Sequence, residues 1–192
     1  MNRIILASES PRKKEVFSKL GIVFETIPSS YEEDMGAKDN PKELAMFLSL
    51  GKAQNVAHTL QDDAIIIGAD TFICLDGVFL GKPKNKKDAK QMLESLRGRS
   101  HKIITGVAIV DTAENIVINE ALISNITMRN IEDNEIDAYI ESGEPMDKAG
   151  AYAIQERGAI FVSDIQGDFF TVMGLPLFFV AEKLKERGVK IL

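Results

Sequence analysis

A single cysteine, Cys74, leaves this chain of 192 residues without the means to form an internal disulfide. It stands in the apolar run Phe72-Ile73-Cys74-Leu75, which predicts a small buried hydrophobe rather than a reactive thiol. Histidine is almost as scarce. His58 and His101 are the only two, and neither has a zinc-site spacing to cysteine or to the other. No stretch approaches the roughly 18 consecutive apolar residues of a membrane span. The apolar start Ile4-Ile5-Leu6-Ala7 is interrupted by Ser8 and Glu9, too soon for a signal peptide. A cytoplasmic protein that meets no membrane is therefore expected. A basic excess is missing as well: 23 Lys and Arg face 29 Asp and Glu, for a net charge of −6. That balance speaks against a general nucleic-acid binder, which needs a cationic face to displace counterions. A small phosphorylated molecule needs only a few local cations and stays open.

The remaining composition, 45% hydrophobic and 27% charged, is that of a globular chain able to bury a substantial core. Its length fits a single domain over 1–192, or two lobes sharing one sheet. Residues 3–7 read as a buried strand, followed by a helix from Pro11 to Leu20 with Gly21 as its C-cap. Residues 22–27 read as a second strand, and 29–40 as a polar loop carrying Glu32, Glu33 and Asp34. Asn40-Pro41 opens a helix to about Leu60, broken in pattern only by Gly51. Residues 64–69 form a continuous apolar run, as in a central strand covered on both faces. Asp76-Gly77 signals a hairpin. Residues 86–97 predict an amphipathic helix, 102–110 and 116–128 paired strands, and 132–142 a helix stopped by Gly143. Residues 159–165 and 169–173 read as a hairpin around Gly167-Asp168, and Pro176 opens a last helix that Gly188 closes. Helices alternate with strands, and hairpins are antiparallel by construction. The fold class is thus α/β with a mixed sheet and flanking helices.

Ser8-Glu9-Ser10-Pro11-Arg12-Lys13-Lys14 leads a strand into a helix through hydroxyls, with cations directly behind. Free N–H groups at a helix start attract anions, and Arg and Lys add charge-assisted bonds. Alone, the segment fits an N-cap with a solvated basic face equally well. It is not a Walker loop. Asp70-Thr71 follows the apolar run, which predicts a carboxylate at the end of a buried strand, where ligands of α/β proteins bind. A lone charge there would be costly, so it must be hydrogen-bonded, paired or metal-bound. Gly81-Lys82-Pro83, Arg97-Gly98-Arg99-Ser100-His101 and Glu144 to Gly150 are charged loops that fit a solvated role when read singly. Together, cations at Arg12, Lys52 and Lys82 would hold a polyphosphate, and Glu33 and Asp70 a hard divalent cation, magnesium or manganese. Such a site does phosphoryl or nucleotidyl chemistry.

Taken in order, the segments resemble the Maf family of nucleotide pyrophosphatases. The resemblance rests on Leu6 to Arg12, Gly68-Ala69-Asp70-Thr71, Gly81-Lys82-Pro83, Gly98-Arg99-Ser100-His101, Asp147 to Gln155 and Gly167 to Pro176. It implies a fold like that of the Maf and ITPase proteins, with an extended mixed sheet and two lobes around a central cleft. It further implies hydrolysis of the α–β phosphoanhydride of a nucleoside triphosphate, and a homodimer. By position, Asp70 would be the general base that also touches the metal, and Glu33 would assist at the metal. Ser8, Arg12, Lys52 and Lys82 would hold the phosphates, while Arg12, Thr71 and Gln155 would select the base. Asp147 to Gln155 resembles the branch that takes dTTP and UTP. A 7-methyl-GTP pyrophosphatase and a nucleotide-binding regulator of cell division remain as alternatives. Two positions depart from the family pattern: Lys13 stands where a second Arg is usual, and Glu156 where Gly is common.

Overall fold

Ile4, Ile5 and Leu6 are all buried and form the first strand, β1 (Ile4–Leu6), of a seven-stranded mixed sheet. The computed structural model describes residues 3–191. β1 pairs in parallel with β2 (Glu25–Thr26) on one side and β3 (Ile65–Leu75) on the other. The order continues through β5 (Ser100–Asp111) and β6 (Ile116–Met128) to β7 (Val162–Gln166), while β4 (Val78–Leu80) pairs with β3. β3 with β4 and β6 with β7 are antiparallel, so the sheet is mixed as expected. Among the described residues, no helix is long and apolar enough to cross a membrane.

The chain divides into two compact units, one of Met1–Thr71, Thr105–Leu122 and Phe170–Leu192, the other of Phe72–Ile104 and Ile123–Phe169. The first holds α1 (Pro11–Ser18), α2 (Pro41–Ala57) and α6 (Leu177–Lys185). Its core includes Ile5, Ala7, Ile66, Ala108 and Val110 from the strands and Ala53 and Val56 from α2. Asn40 caps α2, its side-chain oxygen accepting from the N–H groups of Lys42 and Glu43. Two strand glycines let α2 lie directly on the sheet. A Cβ on Gly68 would come 2.3 Å from the carbonyl oxygen of Ser49, and one on Gly106 would come 2.0 Å from that of Ala45. No side chain fits at either place.

The second unit packs α3 (Lys86–Leu96) against α4 (Asp133–Glu141). Between α4 and β7 the chain makes short 3-10 turns at Glu144–Asp147, Ala149–Ala151 and Arg157–Phe161. Glu144 organises them by accepting from the Tyr139 hydroxyl at 2.8 Å and from the N–H groups of Arg157 and Gly158. Burial, and then the Glu144 carboxylate, push the Tyr139 hydroxyl well above its ordinary pKa. His101 of β5 is buried, and its Nε2 meets the Tyr152 hydroxyl at 2.7 Å. Burial pushes this imidazole down to about 4.

Several expectations are corrected. The strand expected over 22–27 is confined to Glu25–Thr26; β1 is only three residues long, and Val23 is 90% exposed. Residues 169–173 are not a strand: Phe169–Val172 is a helical turn, α5, with the consecutive residues Thr171 and Val172 both buried. Gly167 marks a close approach to β6 rather than a hairpin, since a Cβ there would meet the Ser124 hydroxyl at 2.6 Å. That hydroxyl donates to the carbonyl of Asp168 at 2.9 Å, so the chain is fixed to β6 as it leaves the sheet. α2 runs through Gly51 as expected, but it ends at Ala57 rather than at about Leu60.

Gly106→Ala is expected to destabilise the protein by about 3 kcal/mol, the upper range for overpacking, because a backbone segment must move. Gly81→Ala, with open space around the added methyl, should stay within about 0.5 kcal/mol. Urea unfolding of both variants checks this. Burial holds the His101 imidazole down to about 4 in the folded chain, against the ordinary 6.5 when unfolded. Its stabilising contribution is therefore complete above pH 6.5 and is lost as the pH falls towards 4. The expected loss is about 3 kcal/mol. Urea titrations across that window should show a shallower acid limb for His101→Gln than for the parent.

Candidate active site

The first unit gathers Glu33, Lys52 and Asp70. α2 supplies the scaffold. Gly51 has no side chain, and the Tyr31 ring fills the place: a Cβ on Gly51 would lie 2.4 Å from Tyr31 Cζ. One turn along α2, Asn55 Oδ1 accepts from the Ser29 hydroxyl at 3.1 Å and the Ser30 N–H at 3.0 Å. The 29–34 loop is thereby fixed to the α2 face that bears Lys52, and Glu33 Oε1 lies 2.7 Å from Lys52 Nζ. From the opposite side, Asp70 Oδ1 accepts from the same ammonium.

Asp70 is buried, but it does not stand at the end of its strand as expected. β3 runs for 11 residues, to Leu75, and Asp70 lies within it. The parallel pairing with β1 stops at Leu6 and Ile67, so Asp70 lies beyond the carboxyl end of the neighbouring strand. The loop following β1 leads into α1 there. In that loop the Ser8 hydroxyl accepts from the N–H of Ser10 at 3.1 Å, and Ser10 caps α1 by accepting from the N–H of Lys13 at 3.4 Å. Arg12 occupies the first turn.

The electrostatics follow from this packing. Burial pulls the Lys52 ammonium down, but Asp70 and Glu33 outweigh it and hold the pKa above the ordinary lysine value. Lys52 is therefore a fixed cation and not a base. Lys13 behaves oppositely. Burial, with Lys52 and Arg12 nearby, pushes it down to about 8, although Asp70 and Glu33 act in the other direction. Asp70 Oδ2 is buried and has no hydrogen-bond partner. An orphaned carboxylate oxygen is expensive to bury, so it marks a place where a ligand supplies a cation or a donor.

The donor set fits a hard divalent cation of one kind. Among the described residues no three His, Cys, Asp or Glu side chains cluster into a cage. Magnesium, however, is commonly held by one or two carboxylates together with substrate phosphates. Glu33 and the free oxygen of Asp70 match that pattern.

Of the residues singled out in the sequence, Ser8, Arg12, Glu33, Lys52, Asp70 and Thr71 all belong to the first unit, and Lys82 and Gln155 to the second. Lys82 and Gln155 are exposed. Arg97 and Arg99, read as a basic turn, are consumed in ion pairs with Asp133 and Asp76. Cys74 is buried, as expected. Sequence reasoning passed over Thr105. It is fully buried on β5, and its hydroxyl meets that of Thr71 at 2.9 Å. The available signal was a lone hydroxyl inside the apolar stretch Ile103-Ile104-Thr105-Gly106-Val107.

The family model described as Maf-like protein matches residues 3–187. A dTTP/UTP pyrophosphatase of Methanococcoides burtonii is 47% identical, covering 100% of this chain and 98% of that relative. One of Alkaliphilus metalliredigens is 45% identical over 96% and 95% respectively. The Ham1 protein of Staphylococcus aureus has a similar structure at a TM-score of 0.52 and 15% identity, with 97% of this chain and 100% of that one covered. The HAM1 protein of Coxiella burnetii gives a TM-score of 0.50 at 18% identity, with the same coverage. These two likenesses speak to the fold alone. On the family match and the full-length relatives together, this chain belongs to the Maf family.

Proposed function

We propose that this protein is a nucleoside triphosphate pyrophosphatase that hydrolyses dTTP and UTP to the monophosphate and pyrophosphate. The observation that supports it most is the Glu33–Lys52–Asp70 group, in which Asp70 is buried and one of its oxygens is left unpartnered. A carboxylate held by one oxygen and free at the other is oriented to take a proton from water. Its ion pair with Lys52 fixes its direction.

In this reading Asp70 Oδ2 accepts the proton of a water that attacks the α-phosphorus in line, and pyrophosphate leaves. Lys52 has three N–H donors. Two face Glu33 and Asp70, and the third is left for a phosphate oxygen. Ser8 and Arg12, at the start of α1, add donors to the triphosphate; Lys82 is assigned to it on the family resemblance. Lys13 adds a further cation, and a bound polyanion would favour its protonated form. Glu33 and Asp70 would hold magnesium or manganese, which offsets charge on the phosphates when bound. Arg12, Thr71 and Gln155 are assigned to the base, an assignment supported by the family resemblance. A nucleotide and a second copy of the chain are the partners this reading implies.

Two measurements test it. A panel of nucleoside triphosphates with magnesium or manganese should give pyrophosphate and monophosphate, with dTTP and UTP ahead of ATP and GTP. Predominant orthophosphate would place the attack at the γ-phosphorus and overturn the mechanism. Asp70→Asn keeps the shape but removes the basic lone pair, and kcat should fall on the order of 10²–10⁴-fold. Lys52 retains Glu33 in this variant, so nucleotide should still raise the melting temperature. Turnover within a few-fold of the parent, in a folded variant with saturating metal, would remove Asp70 from the chemistry.

A further inference from the structure

We propose that Thr105 is a positioning residue that makes the Thr71 hydroxyl an obligate hydrogen-bond acceptor, and that this acceptor reads the ring N3–H of uracil or thymine. The inference rests on the pyrimidine reading above and adds to it the polarity of one contact.

Proton counting carries the argument. A threonine hydroxyl has one proton and two lone pairs. Thr105 is fully buried, and its hydroxyl lies 2.7 Å from the carbonyl oxygen of Thr171. A carbonyl only accepts, so the Thr105 proton is committed to it. The same carbonyl accepts from the N–H of Gly174 at 3.1 Å, closing the turn after α5, while the Thr105 bond ties that turn to β5. Thr105 can then meet the Thr71 hydroxyl, 2.9 Å away, only as an acceptor. The Thr71 proton is thus spent inward. The reverse assignment would bury two oxygens 2.7 Å apart with no proton between them, which is repulsive at low dielectric.

What Thr71 offers a ligand is therefore a lone pair. Thr71 is half-buried, and beside its hydroxyl the chain has Gly174 at φ +92. A Cβ there would come 3.0 Å from Thr71 Oγ1 and 3.5 Å from Lys13 Nζ. A side chain on Gly174 would crowd the Thr71 oxygen, and glycine avoids this. Uracil and thymine present two carbonyl acceptors and a single ring donor, N3–H. An acceptor-only hydroxyl can pair with that donor and with neither carbonyl. Cytosine has a lone pair at N3, which would face the lone pair of Thr71. Leaving such groups unpaired gives strong discrimination, whereas a hydroxyl free to rotate would tolerate both bases.

The test compares UTP with CTP as substrates for the parent, Thr105→Val and Thr105→Ser, and adds N3-methyl-UTP with the parent. The parent should prefer UTP by about 100-fold in kcat/KM, and N3-methyl-UTP should lose a similar factor. Thr105→Val frees the Thr71 hydroxyl to turn, so the UTP-to-CTP ratio should fall by about tenfold. Thr105→Ser, which keeps the hydroxyl, should restore it. A merely structural role would lower both substrates alike, and an unchanged ratio in folded Thr105→Val overturns the proposal. So does N3-methyl-UTP turning over as well as UTP, a result that needs no variant to fold. A parent that prefers UTP but fails either arm loses only this proposal. A parent that hydrolyses neither UTP nor dTTP loses the pyrimidine reading, and this proposal with it.

Discussion

The site depends on the direct contact of α2 with the sheet. Gly68 on β3 and Gly106 on β5 remove the side chains that would otherwise hold the helix away, and helix backbone occupies the space. Interiors are close-packed, so this approach sets the distance at which any α2 side chain meets β3. Lys52 reaches Asp70 because of it. Gly51 repeats the device on another face of α2, where the Tyr31 ring replaces a side chain and presents Glu33 to the same ammonium.

Once placed, the three charges determine one another. Lys52 alone would be a costly buried cation, and Asp70 alone a costly buried anion. Paired, each offsets the cost of the other, and the second carboxylate, Glu33, leaves the group with two acidic side chains to one basic. That surplus and the unpartnered Asp70 oxygen are liabilities in the isolated protein. In the proposed reading they become complementary once a cation and a polyphosphate arrive together. A stability deficit held at a binding site in this way is the usual mark of function rather than of poor packing.

The threonine chain from Thr171 through Thr105 to Thr71 shows a second kind of control. No charge is involved, and the energy of each bond is modest. Its effect is directional. A backbone carbonyl at the end of a short helical turn decides which way two hydroxyl protons point, and so what the outermost oxygen can recognise.

Much of this was legible in the sequence, for identifiable reasons. The strand-turn-helix of residues 4–18, the caps at Ser10 and Asn40 and the Asp76-Gly77 hairpin are local effects, set by propensity and hydrogen bonding over a few residues. The residue types for phosphoryl chemistry were visible too, since Asp70 follows a run too apolar to hold an idle carboxylate. Tertiary structure decided what local signals cannot encode. Phe169–Val172 has a strand-like composition, yet it coils because Gly167 is pressed against Ser124 and the chain there is fixed to β6. Gly51 reads as a break in the pattern of a continuous helix until the Tyr31 ring, which occupies the place of its side chain, explains it. Asp70 reads as a strand end because only β1, which has no local signature in that segment, stops there while β3 runs on. The sequence alone determined which groups were available and which segments would be regular. Which groups touch, and which way their protons point, was decided only when residues far apart in the chain packed without room to spare.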